Sequence, residues 1–294
     1  MNRLSQAHCG LARRALRHHA SALVTFIPGI TSSATHGRLF VLSGQSLCVV
    51  QDGRNGARIP NGPVPDQALY LGELEGAPCF AWRLDDAECG PPGTHPVALR
   101  QLFGAVSDED FGIAGRALAL TAWDRDHRFC GRCGAQTERS RLERVRTCTR
   151  CGHGAYPRLS PAIIVLVERD GRALLARGVR FPPPFFSTLA GFVEVGESLE
   201  DAVVREVKEE AGIAVADIQY FGSQPWPLGE SLMVGFTARW AGGEIVCEPS
   251  EIAEAGWFAP DALPRVPPPK LSIARALIDD FVRRRASGPS GELG

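Results

Sequence analysis

The sequence predicts an α+β protein: a small N-terminal α+β domain, a short metal-held ribbon, and a larger domain of buried strands and two amphipathic helices. Three observations carry this reading. Short strand-like runs alternate with turn residues before residue 127, two Cys-x-x-Cys pairs follow, and strand and helix patterns with clear caps resume after residue 158. At roughly 150 residues per domain, a chain of this length holds about two domains with room for a small module. The boundaries expected are an extension over 1–35, an α+β domain over 36–127, a ribbon over 128–157, the larger domain over 158–286, and a disordered tail over 287–294.

Arg38–Leu42 and Leu47–Val50 flank Ser43-Gly44-Gln45-Ser46, and Ala68–Leu74 and Pro78–Leu84 flank Glu75-Gly76-Ala77; both are hairpin patterns. Glu88 to His95 is rich in Gly and Pro and reads as a loop. Ile113, Ala117, Leu120, Ala122 and Trp123 recur at helical spacing, which predicts a helix from Ile113 to His127. Ala162–Val167 is a continuous branched apolar run, hence a buried strand, and Asp170-Gly171 turns it tightly into Arg172–Ala176. Pro182-Pro183-Pro184 imposes a loop. Ser198–Ala211 is helical, with Gly212 at the C-cap position. Leu232–Trp240, Glu244–Cys247 and Ala255–Phe258 read as further strands, and Leu271–Arg285 as a closing amphipathic helix.

Hydrophobic residues make up 44% and charged residues 22% of the 294, which is ordinary for a globular chain and excludes a disordered one. Lys+Arg is 32 against Asp+Glu 33, so net charge gives no reason to bind nucleic acid or an acidic membrane. No apolar run approaches the roughly 18 residues needed to span a bilayer. Met1 to Gln51 has no acidic residue but carries Arg3, Arg13, Arg14, Arg17 and Arg38, as a mitochondrial transit peptide would. Lys208 and Lys270 are the only lysines, so arginine use is general, and a cytoplasmic protein is the expectation with mitochondrial import as the alternative.

Nine cysteines are too few for a disulfide-stapled scaffold. Cys9, Cys48, Cys79, Cys89 and Cys247 are scattered and read as ordinary thiols. Cys130, Cys133, Cys148 and Cys151 form two pairs separated by fourteen residues, long enough for a hairpin that opposes them. Four soft thiolates without carboxylate or imidazole favour a closed tetrahedral Zn²⁺ site, which is structural because no coordination position is open. A redox dithiol pair is the rival reading. Arg132, Arg139, Arg141, Arg144, Arg146 and Arg150 make the segment basic, either as a solvated face or for contact with phosphates or RNA.

The most informative stretch is Gly191 to Ile213. Ser198 can cap a helix whose first turn carries Glu200 and Asp201. Glu206 and Glu210 project from one face a turn apart, with Glu209 about 60° round from Glu206. Like charges so placed repel, and hard oxygen ligands on a rigid element point to Mg²⁺ or Mn²⁺ as the compensating cation.

Gly191, Glu197, Arg205, Glu206, Glu209, Glu210 and Gly212 fall in the pattern G-x5-E-x7-R-E-U-x-E-E-x-G-U, with U a bulky aliphatic. This resembles the Nudix hydrolase signature at every fixed position. The resemblance implies an α-β-α Nudix sandwich on a mixed sheet that hydrolyses a nucleoside diphosphate linked to another moiety. It implies that Glu206 and Glu210 bind Mg²⁺ or Mn²⁺ with the backbone carbonyl of Ala190. Arg205 and Glu197 would orient those carboxylates, and Glu209 would be either a further ligand or the base acting on water. Glu251 matches a late metal ligand, with Glu254 as a neighbour that could be confused with it.

Further on, Ser223-Gln224-Pro225-Trp226-Pro227-Leu228-Gly229-Glu230-Ser231 resembles the SQPWPFPxS array of the NADH pyrophosphatase branch of that family, departing at Leu228 and Gly229. The order of N-terminal domain, four-cysteine ribbon and Nudix domain is also similar to that branch. The resemblance implies hydrolysis of NADH or NAD⁺ to nicotinamide mononucleotide and AMP, and extends to removal of NAD from the 5′ ends of capped RNA. It implies substrate contacts from Gln224, Pro225, Trp226, Pro227, Leu228, Gly229, Glu230 and Ser231, rings from Tyr156 and Phe192, a backbone contact at Ala274, and a candidate Arg100. A homodimer is implied as well. The alternatives are a Nudix hydrolase for another diphosphate such as ADP-ribose, and a zinc-ribbon nucleic-acid-binding regulator whose Nudix domain senses a nucleotide.

Overall fold

The computed structural model describes residues 26–54, 56–84, 90–181 and 183–286. Expectations for the Arg-rich first 25 residues, for Cys9 and Cys89, and for the tail lie outside the described residues. Two units are distinguished: a C-terminal one of Ser160–Pro225 and the chain from Ser231 on, and an N-terminal one that runs to Leu159 and takes in Trp226–Glu230.

In the N-terminal unit the two expected hairpins form as β2 (His36–Ser43) with β3 (Ser46–Asp52), and β6 (Leu69–Leu74) with β7 (Ala77–Arg83). With β1 (Phe26–Pro28) and β4 (Gly56–Arg58) they make a sheet of order β1-β6-β7-β2-β3-β4, to which β5 (Asn61–Pro63) and β8 (His95–Ala98) add at β2 and β3. Alternation along β2 sends Phe40 and Leu42 to one face and Leu39 and Val41 to the other. The first face is covered by helix α1 (Asp108–Asp126) through Phe111, Ala114, Ala117 and Leu118. The helix starts five residues before the expected Ile113. Ser107 caps it by accepting the Asp110 N–H at 3.1 Å, and Asp108, Glu109 and Asp110 favour its positive end.

The ribbon is a three-stranded sheet, β9 (Thr137–Arg139), β10 (Arg146–Cys148) and β11 (Gly154–Ala155), with β10 central. Its arginines correct the expectation of a free basic face. Arg139 and Arg146 both bind Asp124 of α1, at 2.7 and 2.5 Å, and Arg146 also donates to Thr137. Burial of Asp124 opposes its charge, yet the two guanidinium groups win and hold its carboxyl below the usual range. Arg144 donates to the Gly29 and Tyr70 carbonyls, and Arg150 to that of Cys133. Arg139, Arg144 and Arg146 hold the ribbon to its neighbours within the unit, and Arg150 braces it internally.

In the C-terminal unit, β12 (Ser160–Arg169) lies between the parallel β16 (Ser231–Gly242) and the antiparallel β13 (Arg172–Gly178) and β14 (Leu189–Phe192). The sheet is mixed, of order β15-β16-β12-β13-β17, where β15 is Ala214–Pro225 and β17 is Ile252–Phe258. Asp170 and Gly171 both take positive φ, the conformation of the tight turn their sequence signals. The continuous apolar run of β12 is explained by two covered faces. Ile163, Val165 and Val167 meet α2 (Leu199–Ala211), while Ile164 and Leu166 meet α3 (Ile273–Ala286). This is the expected α-β-α sandwich. Among the described residues, no helix is long and apolar enough to cross a membrane.

One expected strand is absent. Glu244–Cys247 is extended chain without a partner strand, because Val246 N–H bonds the Ala211 carbonyl at 3.0 Å and Glu248 N–H that of Glu210 at 3.2 Å. The segment closes the C-terminal carbonyls of α2 instead of joining the sheet. Gly212, at φ 73°, supplies the left-handed cap, and a Cβ there would meet the Val246 Cβ at 3.0 Å.

Candidate active site

Ser198 starts α2 as the sequence suggests, accepting the Asp201 N–H at 3.1 Å. That fixes the phase of the helix, and the apolar residues Ala202, Val203 and Val207 seat it on the sheet. Glu206 and Glu210 share this inward face and are only 8% and 7% exposed, whereas the Glu209 side chain is 58% exposed. Beneath them runs β14. A Cβ on Gly191 would come within 1.9 Å of the Glu206 carboxyl carbon, so a glycine is required for that carboxylate to lie against the strand. Gly191→Ala is therefore expected to displace the Glu206 carboxylate and lower turnover by about 100-fold, while the melting temperature changes little, since only the end of a side chain must move.

Arg205 organises the group. It grips Glu197 bidentately at 2.8 and 2.9 Å, reaches Glu206 at 2.8 Å and Glu209 at 3.0 Å, and donates to the Phe192 carbonyl at 2.8 Å. Glu197 also accepts the Glu194 N–H at 3.0 Å. These bonds hold the Glu197 carboxyl below the usual carboxylate range. Glu206 is pushed up by burial, only partly offset by Arg205. Glu210 receives no such help. Burial, then the charges of Glu206 and Glu251, raise it to about 8, against which the Ala190 N–H bond is a small correction. Its Oε2 is buried without a hydrogen-bond partner. With one buried oxygen lacking a donor and two more carboxylates facing it, Glu210 is electrostatically incomplete, and a divalent cation with oxygen preference would complete it.

Glu251 is the acidic residue whose charge reaches Glu206 and Glu210, while Glu254 is engaged with Arg177 at 3.7 Å. Ala190 lies on β14. The carboxylates are not drawn together as the cysteines are. Among the described residues, Cys130, Cys133, Cys148 and Cys151 are the group whose ligand atoms all lie within 4.8 Å of one another. Their Sγ–Sγ separations of 3.5, 3.5 and 3.7 Å fit the edge of about 3.8 Å that a tetrahedron with Zn–S bonds of about 2.3 Å requires. Backbone N–H groups of Arg132, Arg150 and Cys151 point at the sulfurs of Cys130 and Cys148 at 3.4 Å, which stabilises thiolates. The donor set suits a structural zinc ion.

Three families match the chain in succession: an NADH pyrophosphatase-like rudimentary NUDIX domain at residues 36–123, an NADH pyrophosphatase zinc ribbon at 125–156, and a NUDIX domain at 157–281. A protein of Deinococcus radiodurans named NAD-capped RNA hydrolase NudC is 42% identical over 269 residues, covering 90% of this chain and 94% of that one. The chain belongs to the NudC family of Nudix proteins. A Pseudomonas aeruginosa protein of the same name is 47% identical over 216 residues, covering 74% and 77%. The crystal structure of a NUDIX hydrolase from Nitrosomonas europaea covers 55% of this NudC-family chain and 93% of its own, at TM-score 0.46 and 19% identity. The assignment rests on the sequence matches.

The remaining expected positions of this NudC-family chain divide by environment. Phe192 and Tyr156 are 59% and 56% exposed, so neither ring is spent on a core; the Tyr156 hydroxyl donates to Glu143 at 3.0 Å. Gln224 is not free to offer its amide. Its Oε1 accepts the Ile273 N–H at 2.7 Å and its Nε2 donates to the Leu271 carbonyl at 3.4 Å, tying β15 to the first turn of α3, where Ala274 is buried. Pro225 ends β15 and Ser231 begins β16, with Trp226, Pro227, Leu228, Gly229 and Glu230 half-buried between them in the N-terminal unit. Gly229 N–H turns back on the Trp226 carbonyl at 3.4 Å. Arg100 is exposed on the 3-10 turn Leu99–Leu102, and no described contact engages it.

Proposed function

We propose that this chain hydrolyses the diphosphate linkage of NADH or NAD⁺ to nicotinamide mononucleotide and AMP, and removes NAD from the 5′ end of capped RNA, where the scissile linkage is the same. The observation that carries the reading is the Arg205-centred carboxylate set, with Glu210 buried and unpartnered, in a chain whose relatives bear the name NAD-capped RNA hydrolase. Mg²⁺ or Mn²⁺ held by Glu206, Glu210 and Glu251, with the Ala190 carbonyl, would polarise the phosphoryl oxygens and lower the pKa of water.

The protein's own part follows from its geometry. Arg205 and Glu197 fix where the carboxylates of Glu206 and Glu209 stand. Glu209, the most exposed of the three on α2, is the side chain open to take a proton from the attacking water. The water oxygen bonds to one phosphorus, the bond from that phosphorus to the bridging oxygen breaks, and its electron pair leaves with the second phosphate. Phe192, Tyr156 and the Trp226 array supply rings and a rigid loop for the bases. In this reading the working form is a homodimer in the cytoplasm.

The test is a substrate panel of NADH, NAD⁺, ADP-ribose and NAD-capped RNA, with products separated by mass. Nicotinamide mononucleotide and AMP formed from the dinucleotides, and monophosphate ends formed from the RNA, are expected only with Mg²⁺ or Mn²⁺ present. A folded, zinc-loaded protein that leaves every dinucleotide intact would refute the proposal, and a preference for ADP-ribose would replace its substrate.

A further inference from the structure

Helix α1 carries two interior glycines, a choice that destabilises a helix relative to alanine. They differ in surroundings. Gly112 is exposed, and an added Cβ would meet nothing within 4 Å. Gly115 is buried, and a Cβ there would meet Pro227 at three atoms: its Cα at 2.6 Å, its Cβ at 2.7 Å and its carbonyl oxygen at 2.9 Å. Two of these are backbone atoms, so no rotamer change relieves the clash, and the proline ring leaves φ no room to adjust. Restoring an ordinary contact means shifting Pro227 by about an ångström. The next residue, Leu228, packs against the cluster formed by Phe40, Leu71, Phe111 and Ala114. Two consecutive residues of the array are thus seated within the N-terminal unit, one in a gap left by a missing side chain and one half-buried against the core.

We propose that Gly115 is a positioning residue for substrate recognition: by letting Pro227 approach the helix, it sets the place of Trp226 and of the turn through Gly229. Gly115 thus acts through the placement of this loop, without itself contributing to the chemistry. The proposal rests on the dinucleotide reading given above, but the seating of the loop can be measured without turnover.

The experiment compares Gly115→Ala with Gly112→Ala, the same added methyl group three residues apart on one helix. Gly112→Ala is expected to keep wild-type KM and kcat and to melt slightly higher. Gly115→Ala is expected to raise KM for NADH about tenfold while kcat changes less than about twofold, because a loop displaced by an ångström loses substrate binding before it loses the reacting centre. Hydrogen–deuterium exchange over residues 226–231 should rise in Gly115→Ala and not in Gly112→Ala, whatever the activity. Unchanged KM together with unchanged exchange would overturn the proposal. So would kcat and thermal midpoint falling together at constant KM, the mark of a purely structural defect. If Gly115→Ala does not fold, Leu228→Ala removes the anchor without adding bulk; it should raise KM and exchange likewise, and unchanged values would overturn the proposal. Wild-type protein inert on dinucleotides would sink the functional reading alone, leaving the exchange comparison to decide on Gly115.

Discussion

Glu210→Gln is expected to abolish turnover and, in the same substitution, to stabilise the metal-free protein. The activity loss should be on the order of 1,000-fold, since a ligand whose charge offsets the cation is removed and the Lewis-acid contribution is several kcal/mol. The stability gain follows from burial. The Glu210 carboxyl, normally near 4.5, is held at about 8 in the fold with one oxygen unpartnered. A pKa raised by folding contributes full stability below 4.5 and loses it as pH rises from there through about 8, after which the penalty of the buried charge is constant. Glutamine has no charge to bury. The melting temperature of metal-free Glu210→Gln should therefore match wild type near pH 4.5, exceed it increasingly up to pH 8, and stay above it beyond. Added Mg²⁺ should raise the wild type toward the variant and move the variant little. Equal melting temperatures across this range, in zinc-loaded protein without added Mg²⁺ or Mn²⁺, would contradict the account.

Removing zinc should have the second large effect, on structure. The ribbon strands are two or three residues long, and few side chains in the ribbon are buried: Cys130, Thr137, Val145, Arg146 and Cys148. That core cannot sustain a fold, whereas a four-thiolate site supplies on the order of 10–16 kcal/mol of apparent free energy. Elemental analysis is expected to find one zinc ion per wild-type chain and none in Cys148→Ser, and the variant to be cleaved first by protease between residues 128 and 157. The carboxylate site is built within the other unit, so the rise in its melting temperature with Mn²⁺ should persist. Retained zinc and an uncleaved ribbon would show that the cysteines are dispensable to it.

The geometry of α2 was legible because everything that sets it is local. Spacing puts Glu206 and Glu210 on one face, Ser198 and Gly212 mark the helix ends, and the structure adds only why Gly191 must be a glycine. The two covered faces of β12 were likewise visible in an unbroken apolar run. What escaped depends on partners far along the chain. β15 showed no usable alternation because its register against β16 slips at Ala214/Val215, at Ala216/Gln219 and at Tyr220/Gly222, which scrambles the inward and outward positions. Glu244–Cys247 has strand-like residues, but the N–H groups of Val246 and of Glu248 just beyond it are claimed by the end of a helix. The ribbon arginines looked like a charged face, and nothing in their own segment told that Asp124 would bind two of them. Gln224 looked available until the start of α3 and Leu271 just before it took both ends of its amide. The start of α1 was a missed local signal, since Ser107 followed by Asp110 is a capping pattern.

The central claim is that the buried carboxylates of α2 collect the divalent ions that make the diphosphate breakable. Anomalous diffraction at the manganese edge, from crystals holding Mn²⁺ and a non-hydrolysable dinucleotide, tests it most directly. The account predicts anomalous peaks in contact with the Glu206 and Glu210 carboxylates and the phosphates, and their loss in Glu210→Gln. A bound dinucleotide with no manganese peak beside α2 would contradict it.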